Sequence, residues 1–265
     1  DSAAAVFGFP VIERVCMRIA AFSDLHIWGP VSSYISTEFA GLHEKADILV
    51  IAGDITNNGL INQAERAANL LRTVQVPIVA VVGNHDRRTP RPARFRELIE
   101  SAGVTFLNGS TFETGDKVRV GFAGVQGSGG GFWPHEGPNT LPRRTAQALA
   151  VRSRREASRL DAALDSLETD VKIVVTHVSP TLTTLQTEPK FKFFLLGSSE
   201  LAKVIDRHDV DLVIHGHAHR GNTHGRTPGG TLVRNTAKNV VREIQYFDVD
   251  DLIRERQSTD MSAIA

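Results

Sequence analysis

The chain has 265 residues, of which 41% are hydrophobic and 23% charged, and its 30 basic and 30 acidic side chains cancel. This composition is typical of a globular protein and excludes the disordered class, and zero net charge gives no overall field that would attract nucleic acid or anionic lipid. Because Cys16 is the single cysteine, the chain can form neither an intrachain disulfide nor a thiolate zinc site, so a bound metal would be held by nitrogen and oxygen.

Both ends of the chain are expected to lie outside the folded domain. Residues 1–16 contain an apolar patch without a preceding basic stretch, and we interpret them as an N-terminal extension rather than a trimmed signal segment. No apolar run approaches the ~20 residues that cross a bilayer, which favours a protein with no membrane partner and, by default, a cytoplasmic location. The domain is expected at residues 17–250, followed by a polar tail at 251–265 that frays.

Short apolar runs rich in Val and Ile predict buried strands at residues 18–23, 48–52, 78–82, 172–176 and 212–214. The runs are unbroken rather than alternating, as in strands that are buried on both faces. Apolar residues at helical spacing predict helices at 33–45, 61–73, 94–102 and 143–167, and shorter strands are predicted at 104–106, 111–113, 118–123, 231–234 and 243–248. The alternation of strand and helix indicates one α/β domain, with two packed sheets and helices outside.

Each of the five apolar runs leads into residues that can bind a cation. These residues are Asp24 and His26, then Asp54, then Asn84, His85 and Asp86, then His177, and finally His215, His217 and His219. Asp24, Asp54 and Asn84 follow one another at intervals of thirty residues, about one βαβ unit, which would place them at one edge of a parallel sheet. A single Asp or Asn after a strand is most often a turn residue or a helix cap, but five such strand ends together indicate a metal site.

This mixture of side chains suits a pair of cations that act on a phosphate ester. Two cations about 3.5–4 Å apart lower the pKa of a shared water and clamp the phosphoryl oxygens. Because two dications repel each other at that separation, a carboxylate has to bridge them, and neutral imidazoles complete the ligand set without over-neutralising the charge. Two Asp, one Asn and four His residues meet this requirement.

The motifs Asp24-x-His26, Gly53-Asp54, Gly83-Asn84-His85-Asp86, His177 and Gly216-His217-x-His219 together resemble those of the calcineurin-like metallophosphoesterase superfamily. The resemblance implies a four-layer α/β/β/α sandwich of two mixed sheets flanked by helices, with a dinuclear metal site at one edge. It implies that Asp24, His26 and His219 hold one divalent metal ion. Asn84, His177 and His217 would hold the other, and Asp54 would bridge the two. The metals of such sites are manganese, iron or zinc, and nitrogen and oxygen ligands do not select among them.

The resemblance also implies roles for residues beyond the ligands. His85 would contact the phosphate and assist the leaving oxygen, and Asp86 would orient His85. Asn84, His85 and Arg87 are candidate contacts of the substrate. The implied reaction is attack of a metal-bridging hydroxide on phosphorus, without a covalent enzyme intermediate. His215 is expected to pack beside the site rather than to bind metal.

The form of the motifs favours a phosphodiesterase that acts on a small substrate, with nucleotides among the candidates. Protein phosphatases of the superfamily carry Arg after the second motif and Asn-His-Glu in the third, whereas this chain has Ile55 and Asp86 at those places. Diphosphatases of the lipid A pathway usually carry Arg in place of His85. The third motif therefore separates this chain from both branches.

Two alternatives stay open at this point. A nuclease acting on DNA or RNA is not favoured, because 265 residues leave little room for the capping and coiled-coil parts of repair nucleases. A non-catalytic metal-binding scaffold is the alternative from another class, and it is disfavoured because no ligand position is missing.

Arginines cluster in two segments, at 87–96 after the third motif and at 143–159 in the long predicted helix. The plainer interpretation is a solvated helix face with interspersed acidic residues. The functional interpretation is a basic rim that attracts a phosphorylated substrate, with Arg87 and Arg88 closest to the site.

Overall fold

Two mixed β-sheets lie face to face in the protein, for which a computed structural model describes residues 17–132 and 141–264. In these two stretches the strands are β1 (Arg18–Ala21), β2 (Ile48–Ala52), β3 (Ile78–Val81), β4 (Val104–Phe106), β5 (Ser110–Thr114), β6 (Val120–Val125), β7 (Val171–Thr176), β8 (Leu212–His215), β9 (His224–Arg226), β10 (Leu232–Asn235) and β11 (Gln245–Asp248). The helices are α1 (Ser33–Ala40), α2 (Ile61–Leu71), α3 (Pro92–Glu100), α4 (Arg143–Asp165), α5 (Phe193–Leu196), α6 (Ser199–Ile205), α7 (Lys238–Val241) and α8 (Val249–Ile264).

The first sheet has the strand order β11-β1-β2-β3-β4, and the second has the order β5-β6-β7-β8-β10-β9. Strands β1 to β4 are parallel neighbours, and β11 is antiparallel to β1. In the second sheet β6, β7, β8 and β10 are parallel, with β5 and β9 antiparallel at the two edges. The carboxyl ends of β1, β2 and β3 therefore meet at one edge, as the thirty-residue spacing predicts.

Alternate side chains of the strands divide between different layers of the core. Ile19 and Ala21 of β1 pack between the two sheets with Phe122 and Ile173, whereas Ala20 packs against the helices that cover the first sheet. The equivalent cluster outside the second sheet joins its strands to α4 and α6. Burying one Val or Ile side chain contributes about 1.5–3 kcal/mol, and the fully buried strands explain the unbroken apolar runs. This arrangement confirms the four-layer α/β/β/α sandwich.

Local sequence signals account for the helix positions. Ser32 accepts a hydrogen bond from the Ile35 backbone N–H and caps α1, which ends before Gly41 and is followed by a short 3-10 turn. Pro92 opens α3, where its missing N–H is not needed. In α2 the small residues Ala64 and Ala67 are buried against the sheet, as the helical spacing predicts.

The segment after β11 is helical, where the sequence predicted a fraying polar tail. Val249 and Leu252 of α8 are buried in the core between the sheets, and the Val249 N–H donates to the Met17 carbonyl at 3.0 Å. Arg256 forms an ion pair with Asp211 at 3.1 Å. The few apolar residues of this segment recur on one helical face, and the edge of the sandwich provides the surface that buries them. Residues 1–16, which the sequence predicted to be an N-terminal extension, lie outside the described residues, and so do residues 133–140.

None of the helices in the described part of the chain combines the length and the apolar character needed to span a membrane.

Candidate metal centre

The loops that follow β1, β2 and β3 meet the loops that follow β7 and β8 at one edge of the sandwich. Backbone hydrogen bonds join the first two loops, among them those from the Asp24 N–H to the Gly53 carbonyl at 3.1 Å and from the His26 N–H to the Asp54 carbonyl at 3.0 Å. The His217 N–H donates to the Asp24 carboxylate at 3.0–3.1 Å and ties the second sheet to the first. Both sheets therefore contribute side chains to one cluster.

The backbone at four of the candidate ligands adopts the left-handed region. The φ angles are 57° at Asp24, 46° at His26, 51° at Asp54 and 67° at His217. Among non-glycine residues this region is uncommon, although Asp and His enter it more readily than most, and each instance costs on the order of 1–3 kcal/mol. The surrounding hydrogen bonds hold these strained turns, which direct the side chains into the cluster.

Glycines beside the ligands allow carboxylates to approach the backbone closely. A Cβ atom on Gly83 would overlap the Asp54 carboxylate, and one on Gly216 would overlap the Asp24 carboxylate. Neither of these glycines has a positive φ, so their role is to leave space rather than to form a turn. The glycines of the third and fifth motifs are thus part of the site.

The outer group of the cluster consists of Asp24, His26 and His219, whose ligand atoms lie within 4.8 Å of one another. His219 Nε2 donates to Asp24 Oδ1 at 2.9 Å, and His26 Nε2 lies 3.3 Å from His219 Nε2. The His219 side chain is 32% exposed, whereas the Asp24 carboxylate is fully buried. This group is therefore open to solvent on the imidazole side.

The inner group consists of Asn84, His177 and His217. His177 Nδ1 donates to the Ala52 carbonyl at 2.8 Å, which leaves the lone pair of Nε2 in the neutral ring directed at the cluster. That nitrogen lies 2.9 Å from Asn84 Oδ1 and 3.5 Å from Asp54 Oδ1. Asp54, His177 and His217 also present ligand atoms within 4.8 Å of one another. His177 Nε2, Asn84 Oδ1 and Asp54 Oδ1 are thus three hydrogen-bond acceptors that lie close together with no proton between them.

Asp54 lies between the two groups. Its Oδ1 accepts from the His85 backbone N–H at 2.8 Å, while Oδ2 lies 3.5 Å from His26 Nε2 and 4.0 Å from His85 Nε2. Asp54 Oδ2 and His26 Nδ1 are buried and have no hydrogen-bond partner in the described residues. Leaving a buried carboxylate oxygen unpaired is costly, and a cation at this point would remove that cost. The donor set of carboxylate, amide oxygen and imidazole fits divalent metal ions.

The electrostatics of the cluster favour the neutral form of the His26 and His217 imidazoles, whereas the hydrogen bond to Asp24 raises the pKa of His219. Burial, together with repulsion from neighbouring imidazoles, lowers the pKa of His26 to about 4 and that of His217 to about 3. Burial and the charge of Asp24 raise the pKa of Asp54. For Asp24, burial alone would raise the pKa, but the hydrogen bond from His219 and the nearby imidazoles outweigh it and lower the pKa. His26 and His217 thus keep free lone pairs at neutral pH.

His85 and Asp86 lie next to the cluster, but they do not contact each other in the way that the sequence suggested. The Asp86 carboxylate accepts hydrogen bonds from the N–H groups of Ile55, Thr56 and Gly83 and from the Thr56 hydroxyl, at 2.8–3.2 Å. The ring of His85 is held instead by the Asn57 carbonyl, which accepts from Nδ1 at 2.5 Å. The expectation that Asp86 orients His85 is corrected accordingly: Asp86 joins the loops after β2 and β3.

Sequence reasoning missed several residues that hold the candidate ligands. The carbonyls of Ala52 and Asn57 orient His177 and His85, and a backbone carbonyl leaves no trace in residue identity. Asn239 Nδ2 lies 3.4 Å from His219 Nδ1, and its position as the second residue of the short helix α7 gave no signal. His215 packs beside the site as expected, with Nε2 3.0 Å from the Thr184 hydroxyl.

The layered fold and the cluster of Asp, His and Asn side chains at its edge define a protein of the metallophosphoesterase class. A family model described as calcineurin-like phosphoesterase matches residues 17–221, and the chain belongs to this family. One solved crystal structure aligns with a TM-score of 0.62 at 13% identity, covering 89% of this chain and 96% of its own. The crystal structure of TT1561 from Thermus thermophilus aligns with a TM-score of 0.53 at 18% identity, covering 88% and 99%. At these identities the likeness concerns the fold.

Proposed function

We propose that the protein is a dinuclear metal-dependent phosphodiesterase that hydrolyses small phosphodiesters, with nucleotides among the candidate substrates. The observation that carries the proposal is the buried Asp54 Oδ2 atom, which lacks a hydrogen-bond partner in the described residues and lies between two groups of ligand atoms. A bridging carboxylate is what two closely spaced dications require. Membership of the calcineurin-like phosphoesterase family supports the same chemistry.

The proposed ligands divide between two positions. Asp24, His26 and His219 would hold one cation, and Asn84, His177 and His217 would hold the other, with Asp54 shared between them. Two divalent cations, when bound, lower the pKa of a coordinated water and neutralise charge on the phosphoryl oxygens. Manganese, iron and zinc all accept this mixture of nitrogen and oxygen donors.

His85 is the proposed proton donor to the leaving oxygen. Because the Asn57 carbonyl accepts from Nδ1, the other ring nitrogen, Nε2, faces the cluster 4.0 Å from Asp54 Oδ2. In the imidazolium form, Nε2–H can donate to a phosphoryl oxygen and then to the leaving alkoxide. The side chain is 25% exposed, so a small diester can approach it from solvent.

The proposal is tested on manganese-reconstituted protein. Metal content is measured by mass spectrometry, and turnover is compared for bis(p-nitrophenyl) phosphate and p-nitrophenyl phosphate. We expect two metal ions per chain and faster hydrolysis of the diester. A protein that binds no metal, or that turns over neither ester with metal bound, would contradict the proposed function, and preference for the monoester would contradict the diesterase assignment.

A further inference from the structure

A cavity of about 580 Å³ lies beside the candidate metal centre, and its rim is rich in arginine. Its apolar floor includes Phe95 and Phe106, both of which are buried. Its rim carries the arginines of both sequence clusters, namely Arg87, Arg96, Arg152, Arg155 and Arg159, against the two carboxylates of Asp86 and Glu156. A chain with no net charge thus concentrates positive charge at this cavity. We refer to it as the arginine cavity.

The arginine cavity adjoins the metal centre through two loops that contribute residues to both. Asp86 and Arg87 line the cavity and directly follow Asn84 and His85 in the chain. Gln126, which also lines the cavity, follows β6, and its backbone carbonyl accepts from the His177 N–H at 3.0 Å. This adjacency suits a substrate that is longer than its scissile phosphate and reaches from the metal centre to the cavity.

Two guanidinium groups converge on one neutral oxygen in the arginine cavity. Arg87 Nη1 and Arg152 Nη2 donate to the buried Gln126 Oε1 atom at 2.8 and 2.9 Å. Across residues 17–132 and 141–264, neither guanidinium forms an ion pair with a carboxylate, whereas Arg96 is paired with Glu100 and Arg159 with Glu156. Two adjacent positive charges without an anion repel each other, so an anionic ligand that accepts from both would be stabilised.

We propose that the arginine cavity binds a second phosphoryl group of the substrate, so that the enzyme prefers small diesters whose organic part carries a further phosphate. The inference rests on the proposed phosphodiesterase function. The volume lies in the range of small-molecule sites and exceeds what a single phosphate needs. The apolar floor would contact the organic part, while Arg87 and Arg152 would bind the phosphate through paired N–H donors.

A matched pair of substrates tests this inference. Thymidine 5′-(p-nitrophenyl phosphate) is compared with the same ester carrying a 3′-phosphate, and the specificity ratio is kcat/KM for the phosphorylated ester divided by kcat/KM for the plain one. We expect a ratio of roughly 10 to 100 in the unaltered protein, the range for a charged hydrogen-bonded contact. Arg152→Gln should bring the ratio close to one. The control Arg154→Gln, an exposed neighbour on α4 outside the cavity, should leave the ratio unchanged.

The outcomes separate this inference from the proposed function. Hydrolysis of both esters with a ratio near one would overturn the role of the arginine cavity and leave the phosphodiesterase standing. A preference that grows with the length of an oligonucleotide would overturn it in favour of a nucleic-acid backbone. If neither ester is hydrolysed, the binding of two nucleotides is measured by calorimetry instead. Thymidine 3′,5′-bisphosphate should still bind more tightly than thymidine 5′-phosphate. That difference should disappear in Arg152→Gln, and equal binding of the two nucleotides would refute the inference.

Discussion

The inner and outer groups of the candidate metal centre are built from different parts of the fold. The inner imidazole of His177 is fully buried at the end of β7, and its Nδ1–H donates to the Ala52 carbonyl at the end of β2. The outer imidazole of His219 is 32% exposed in a loop, and its Nδ1 faces the exposed side chain of Asn239 at 3.4 Å. Strand ends that are packed between two sheets fix the inner ring, whereas a surface side chain supports the outer one.

This difference bears on how the two groups would bind cations. A ligand that is already fixed in its binding geometry loses less conformational freedom when metal binds, and burial excludes competing water. The inner group is therefore expected to hold its cation more tightly. Asp54 couples the two groups, because its carboxylate faces both of them.

The largest effect is expected from Asp54→Asn, which removes the charge that the two groups share. Both cations should be lost, and turnover should fall by at least ~10³-fold, since the chemistry depends on them. Metal content and diester hydrolysis are measured together, with the exposed Asp116→Asn as the matched control. An Asp54→Asn protein with two metals and full turnover would rule out the bridging role.

The next effect is expected from His85→Ala, which leaves both groups of ligands intact. We expect two bound metals and a loss of about 10²–10⁴ in kcat, the usual contribution of a positioned proton donor. Because His26, Asp54 and His85 also present ligand atoms within 4.8 Å of one another, metal content is the decisive readout. Loss of a metal ion from this variant would make His85 a ligand instead.

A smaller effect, centred on Asp24 of the outer group, is expected from Gly216→Ala. The added Cβ would overlap the Asp24 carboxylate and displace it from His219, and a misplacement of about 1 Å costs roughly 10²-fold in rate. The control is Gly29→Ala, because a Cβ at Gly29 meets no atom within 4 Å. Diester turnover and metal content are measured together. Wild-type turnover in Gly216→Ala would show that this close approach is not needed.

The smallest effect is expected from Asn239→Ala, which removes the surface support of His219. Titration with a chelator should remove the cations in two steps, and this substitution should shift only the first step, by about tenfold in metal affinity. The exposed Asn69→Ala on α2 is the control. A shift of both steps, or a single step in the unaltered protein, would contradict the distinction between the two groups.

Local sequence patterns predicted much of this protein. The apolar runs identified the strands that lead into the site to within one or two residues, and the thirty-residue spacing of Asp24, Asp54 and Asn84 correctly predicted that three parallel strands end together. Both features depend on short-range periodicity and on regular βαβ geometry, which a linear chain encodes directly. The residue types at the strand ends likewise indicated metal chemistry.

Only the tertiary structure decided how those residues are held. The Asn57 carbonyl rather than Asp86 orients His85, and Asp86 instead joins two loops. Gln126 brings together Arg87 and Arg152, which are sixty-five positions apart in the chain. A backbone carbonyl has the same chemistry in every residue, and contacts across two packed sheets follow no local period, so neither leaves a pattern that the sequence alone can reveal.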